Sequence, residues 1–289
     1  MTERIRGPIA GVTTGLIACL AICAAGTAAK ADTRLNIHYI ISMTGVSIGQ
    51  LNWTIDINAV GYRASANGKA SGPLSILVNG EGRVAVQGAV ARADDGGTAR
   101  LTPNFFTSNV TDDGEISGLQ MTFEDGAVKT LRRDAPLPKD GRIAVSEADL
   151  RGVTDPLSAM LIGALDDRGP LAPENCNRLL PVFDGLRRYD LALSFKRGDR
   201  LKIERGYAGP VLVCAVVLRP VAGYRADSLL VRYVSGRQGM EIWFAPVAGT
   251  ALAAPARLVM PTAVGTLELL SDRFEAAVSA PANTEAPKP

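Results

Sequence analysis

From Leu35 to Asp134 apolar and polar residues alternate in short runs, and Gly, Asn or Asp breaks the runs. Successive side chains of a strand point to opposite faces, so this period of two predicts half-buried antiparallel strands. Ile37, Tyr39 and Ile41 share one strand face. After a break at Gly45, Ile48 and then Leu51, Trp53, Ile55 and Ile57 mark a second strand, whose phase shift places a bulge at Gly49. Tyr62 to Ala70, Arg83 to Arg92, Asn104 to Val110, Leu119 to Glu124 and Ala127 to Arg132 continue a meander. Asp112-Asp113-Gly114 and Asp125-Gly126 read as tight turns between them.

Helix signals are few. Pro73 to Val78 is a candidate for one or two turns. Asp155-Pro156 is a stronger start, since Asp caps free N–H groups and Pro suits the first helical position. Leu157, Met160, Leu161 and Leu165 then fall on one face, predicting a helix that ends between Gly163 and Asp167 and covers part of the sheet. The second half adds strands at Tyr189 to Phe195, Arg200 to Arg205, Pro210 to Arg219, Leu229 to Ser235, Met240 to Ala245, Arg257 to Met260 and Gly265 to Leu270. Arg197-Gly198-Asp199 and Ser235-Gly236 read as turns.

The first thirty-one residues read differently. Arg4 and Arg6 precede an apolar, small-residue run from Ile9 to Ala25, and Ala29-Lys30-Ala31 offers the small residues a signal peptidase requires. Cleavage is expected after Ala31, sending the chain to the periplasm, with a lipoprotein anchored at Cys19 in Leu16-Ile17-Ala18-Cys19 as the rival reading. One β-rich domain is expected over 32–278 and a disordered tail over 279–289, which is rich in Ala and Pro.

Removing Arg4, Arg6, Lys30 and Glu3 from 31 basic and 29 acidic residues leaves the mature chain balanced. Such a surface has no broad field for phosphates, so nucleic acid is not an expected partner. Cys176 and Cys214 are the only cysteines after cleavage, and in an oxidising compartment they are expected to pair. Closing roughly 39 residues would stabilise the fold by about 4 kcal/mol in the chain-entropy model.

Candidate chemistry is sparse. His38 is the single histidine, and no nucleophile elbow accompanies it. With one His and both mature cysteines bridged, no metal and no cofactor are expected. Asp94-Asp95, Asp112-Asp113 and Asp166-Asp167 could serve a glycan hydrolase, but beside Gly they read as turn residues. Trp53, Trp243 and Phe244 read as core, or as the lining of a cavity.

The most specific stretch is Cys176 through Tyr224, containing Pro181-Val182-Phe183-Asp184-Gly185-Leu186-Arg187-Arg188-Tyr189-Asp190-Leu191, then Gly209-Pro210, Cys214 and Pro220-Val221-Ala222-Gly223-Tyr224. Here the chain resembles a proteobacterial envelope family, domain of unknown function 3108, from about Tyr39 to Tyr233. Leu186 departs from the more basic run common there after Phe-Asp-Gly. The resemblance implies an exported, mainly β protein: a curved or spiral antiparallel sheet, open and barrel-like, with one or two short helices and a Cys176–Cys214 bridge. It implies no enzyme activity. Asp184, Arg187 and Arg188 are the candidate binding residues, against a simpler reading as a salt-linked hairpin. The expected function is a monomeric, non-catalytic periplasmic protein that supports envelope integrity by binding an envelope lipid or protein. A glycan hydrolase and a purely structural interaction protein are the alternatives.

Overall fold

Alternation becomes strand wherever a turn residue lets the chain reverse. The computed structural model describes residues 32–58, 60–71, 80–92, 99–112, 115–136, 140–225, 227 and 239–279. The first half runs β1 (Asp32–Met43), β2 (Val46–Ile57), β3 (Gly61–Ala70), β4 (Glu81–Arg92), β5 (Ala99–Asp112), β6 (Glu115–Glu124) and β7 (Ala127–Arg133). A four-residue helix, α1 (Pro156–Ala159), and a short strand, β8 (Ile162–Gly163), follow. The second half runs β9 (Arg178–Phe183), β10 (Arg188–Lys202), β11 (Arg205–Gly206), β12 (Ala208–Ala222), β13 (Met240–Pro246), β14 (Leu252–Thr262) and β15 (Gly265–Ser279).

These strands form one open sheet in the order β7-β6-β5-β4-β3-β2-β1-β15-β14-β13-β12-β10-β9, with β8 beside β14 and β11 beside β15. The first and last strands of the domain, β1 and β15, are therefore neighbours at the centre. An N-terminal wing (β2 to β7) and a C-terminal wing (β14 to β9) extend from them. Positive φ at Thr44 and Gly45, and at Asp125 and Gly126, lets the two-residue turns match the twist of their hairpins. The β1–β2 register slips between Ile41 and Ser42, opposite Gly49 and Ser47. That places the expected bulge at Ile48, next to Gly49.

The sheet curls around a buried apolar core. Leu35, Ile37, Tyr39, Trp53, Ile55 and Tyr62 from the first strands meet Val211, Val213, Trp243 and Phe274 from the last. Trp53 and Trp243 are buried here as expected. Two edges, β7 and β9, remain unpaired with each other. Residues 151–154 lie between them as a strap: Val153 N–H donates to Gly126 O at 3.1 Å, Thr154 N–H to Pro181 O at 2.9 Å, and Phe183 N–H to Thr154 O at 2.9 Å.

The C-terminal wing has a second core on its outer face, where Leu191, Leu193, Leu212, Val216, Ile242 and Phe244 pack under residues 159–176. Along β12, Val211 and Val213 face the inner core while Leu212 and Cys214 face the outer one. The Cys176–Cys214 disulfide, with Cα atoms 5.4 Å apart and both residues fully buried, ties the covering segment to the sheet.

Several local expectations are corrected. The helix after Asp155 stops at Ala159, because Leu161 turns into the inner core and Ile162–Gly163 pairs with β14 instead. Asp155 does cap it, accepting from Leu157 N–H at 2.9 Å and Ser158 N–H at 3.0 Å. Arg197-Gly198-Asp199 is not a turn: β10 continues through it, and a register shift between Phe195 and Arg197 absorbs the irregularity. Strand pairing of β15 extends to Ser279. The signal segment, Pro73 to Val78, Asp94-Asp95, Asp113-Gly114, Leu229 to Ser235, Ser235-Gly236 and 280–289 lie outside the described residues.

Candidate functional site

Antiparallel edges that almost meet leave a seam, and this seam is where the motif residues gather. β9 ends at Phe183, and Asp184 turns the chain by accepting from Leu186 N–H at 2.8 Å and Arg187 N–H at 2.6 Å. Gly185 has φ +94° and lies so close to the Leu119 side chain on β6 that any Cβ would overlap it. From β7, the Arg133 guanidinium donates through Nε (2.8 Å) and Nη2 to Gly185 O. The Phe-Asp-Gly turn thus docks the C-terminal wing onto the N-terminal one.

Two cavities of about 490 Å³ each adjoin this contact. One is walled by Val84, Phe106, Leu119, Leu157 and Leu186, with Asp184 and Arg133 at its polar side. The other lies across Leu186, against Leu131, Ile143, Val145, Leu150 and Phe183. Arg133 and Leu186 line both. Among the described residues Arg133 makes no ion pair with a carboxylate. Its partial burial lowers its pKa, against the attraction of Asp184. On the second cavity's rim Arg142 and Asp140 pair at 2.8 Å.

The three sequence-derived binding residues separate. Asp184 lines the first cavity, although its carboxylate is committed to the turn. Arg187 is half exposed and lies over the Tyr224 ring, 5.9 Å from its centroid, while burial and Asp184 push the Tyr224 hydroxyl pKa up to about 12. Arg188 is largely covered and bonded to Asp190 at 2.6 Å. Together they make the salt-linked hairpin of the simpler reading. The residue sequence reasoning missed is Arg133. Its signal was parity, because Arg133 stands two residues after Leu131 on β7 and so shares its face.

His38 lies elsewhere, on the outer side of β1. Its Nδ1 contacts Asp272 at 2.5 Å and its Nε2 contacts Gln50 at 3.2 Å. Burial would raise the Asp272 pKa, but His38 and Arg205 hold it below the usual carboxylate range. Among the described residues no hydroxyl or thiol bonds the ring. Asp166 is engaged by Arg168, and Asp167 beside it is exposed. No group of three metal-ligating side chains occurs among the described residues. None of their helices is long and apolar enough to cross a membrane.

A family model described as Protein of unknown function (DUF3108) matches residues 36–271. No curated protein matches the chain. Among solved structures, a β-barrel-like protein of domain of unknown function DUF1849 from Brucella abortus aligns at 11% identity and TM-score 0.44, over 86% of this chain and 98% of that one.

Proposed function

We propose that this chain, which belongs to the family described as Protein of unknown function (DUF3108), is a non-catalytic binding protein of the cell envelope that takes the apolar part of an amphiphilic envelope component at its seam. The observation that carries this reading is the pair of apolar cavities on either side of Leu186, with Arg133 between them. An apolar wall with a few placed polar groups is the usual make-up of a small-molecule site. The walls of both cavities belong to the inner core or pack against it, among them Phe106 and Phe183, so the binding volume is assigned to the end of that core that opens at the seam. Export to the periplasm through a cleaved signal segment fits the buried disulfide, since such bridges persist in oxidising compartments.

The close burial of the central core residues also favours a second reading, an interaction protein without a small-molecule site. Native mass spectrometry of protein taken from the periplasm of a Gram-negative host separates the two. The proposal expects a lipid-sized adduct on the wild type that is lost in a folded Leu157→Glu variant. Wild-type protein carrying no small molecule, or bound only to another protein, would sink it.

A further inference from the structure

A third cavity, of about 290 Å³, opens at the other end of the seam, beyond the strap, and shares no lining residue with the apolar pair. Its walls include Leu101, Val153 and Leu161, and it receives two arginines, Arg100 from β5 and Arg178 from β9. Arg178 is mostly buried. Its Nη2 donates to Gly163 O at 2.9 Å and more weakly to Asn175 Oδ1 at 3.4 Å, both neutral acceptors. Its Nε is buried without a hydrogen-bond partner in the protein, and so is the Oγ1 of Thr154, which lines the same cavity.

Neither arginine forms an ion pair among the described residues. Desolvation lowers the Arg178 pKa with no carboxylate opposing it. A guanidinium stays charged throughout the physiological range, so burying one without a counter-charge costs free energy that a bound anion would recover. The position is fixed from behind. Asn175, fully buried, accepts from Leu165 N–H at 2.9 Å and donates to Gly169 O at 2.8 Å, next to the disulfide residue Cys176.

We propose that this cavity binds an oxyanion, the carboxylate or phosphate group of a small amphiphile or free phosphate, held by Arg178 and Arg100. The apolar wall beside the two cations accommodates a short chain. This site stands apart from the lipid reading above, and either can fail without the other.

The test is calorimetric titration of the full mature protein with octanoate, octyl phosphate, inorganic phosphate and uncharged octanol. The proposal expects an oxyanion to bind at least tenfold more tightly than octanol, and Arg178→Met and Arg100→Gln each to weaken it at least tenfold. A preference for octyl phosphate over inorganic phosphate would assign the site to an organic ester, and the reverse to the free ion. Octanol binding as well as the anions, or full anion affinity in both folded variants, would overturn it. Should Arg178→Met not fold, the exposed Arg100→Gln and the octanol comparison decide alone.

Discussion

The two wings of the sheet are made of the same antiparallel ladder and are stabilised differently. In the N-terminal wing each strand buries one face: β3 alternates buried Tyr62, Ala64 and Ala66 with exposed Arg63, Ser65 and Asn67. In the C-terminal wing β12 and β13 are buried on both faces, because residues 159–176 lie across the outside and the disulfide fastens them there. One wing is a single layer over a core. The other, where residues 159–176 cover it, is the middle of a three-layer stack.

The difference is sharpest for large side chains. Phe244→Ala removes a fully buried ring from the outer core and should cost about 3–5 kcal/mol, whereas Arg63→Ala on the open face of β3 should stay within about 0.5 kcal/mol. Urea denaturation of both variants measures it. Similar costs would erase the distinction between the wings.

Next in size is the bridge. Cys176→Ser, or reduction of the wild type, should lower stability by up to about 4 kcal/mol, less where the unfolded chain keeps structure, since the loop it closes is long. Thermal midpoints with and without reductant test this. An unchanged midpoint would mean that packing alone holds the outer layer.

How much of this contrast is readable from the residues follows from range. Strict alternation in the first half fixes each strand by itself, so the meander, the Asp125-Gly126 turn and the slip beside Gly49 were legible locally. A strand over Pro210 to Arg219 was legible, and two remaining cysteines announced their bond, while burial of β12 on both faces emerges only from the fold. The helix after Asp155 was overread because Leu157, Met160, Leu161 and Leu165 do have helical spacing. Yet Ile162 and Gly163 gain more by completing the edge of β14 than by continuing a helix. The seam was the least legible part. Arg133 and Gly185 are 52 positions apart, and nothing near either residue specifies that they meet. Arg178 reads as an ordinary basic residue until the fold buries it.

A smaller effect should appear where the wings touch. Gly185→Ala forces a side chain onto Leu119 from a left-handed backbone, at an expected cost of about 1–3 kcal/mol, and should loosen the seam. Loss of amphiphile binding together with that loss of stability is the predicted pattern. Unaltered binding would separate the turn from the site.

The subtlest prediction concerns the cap at the base of the strap. Burial raises the Asp155 pKa, although the Ser158 and Leu157 amides pull it down. The folded state then holds the proton more tightly than the unfolded chain. Its contribution to stability is complete below the unfolded pKa of about 3.9 and is lost as pH rises through the folded-state value. Asp155→Asn keeps an acceptor oxygen and removes the titration, so its thermal midpoint should fall less over that range than the wild type's. Equal slopes would contradict this.

The central claim is that binding takes place at the seam and not deeper in the core, against β1 and β13. Hydrogen exchange measured by mass spectrometry, with and without oleate, tests it most directly. The account predicts added protection over residues 116–120, 131–133 and 184–187, with β1 and β13 unchanged. Protection concentrated in β1 and β13, or no binding at all, would contradict it.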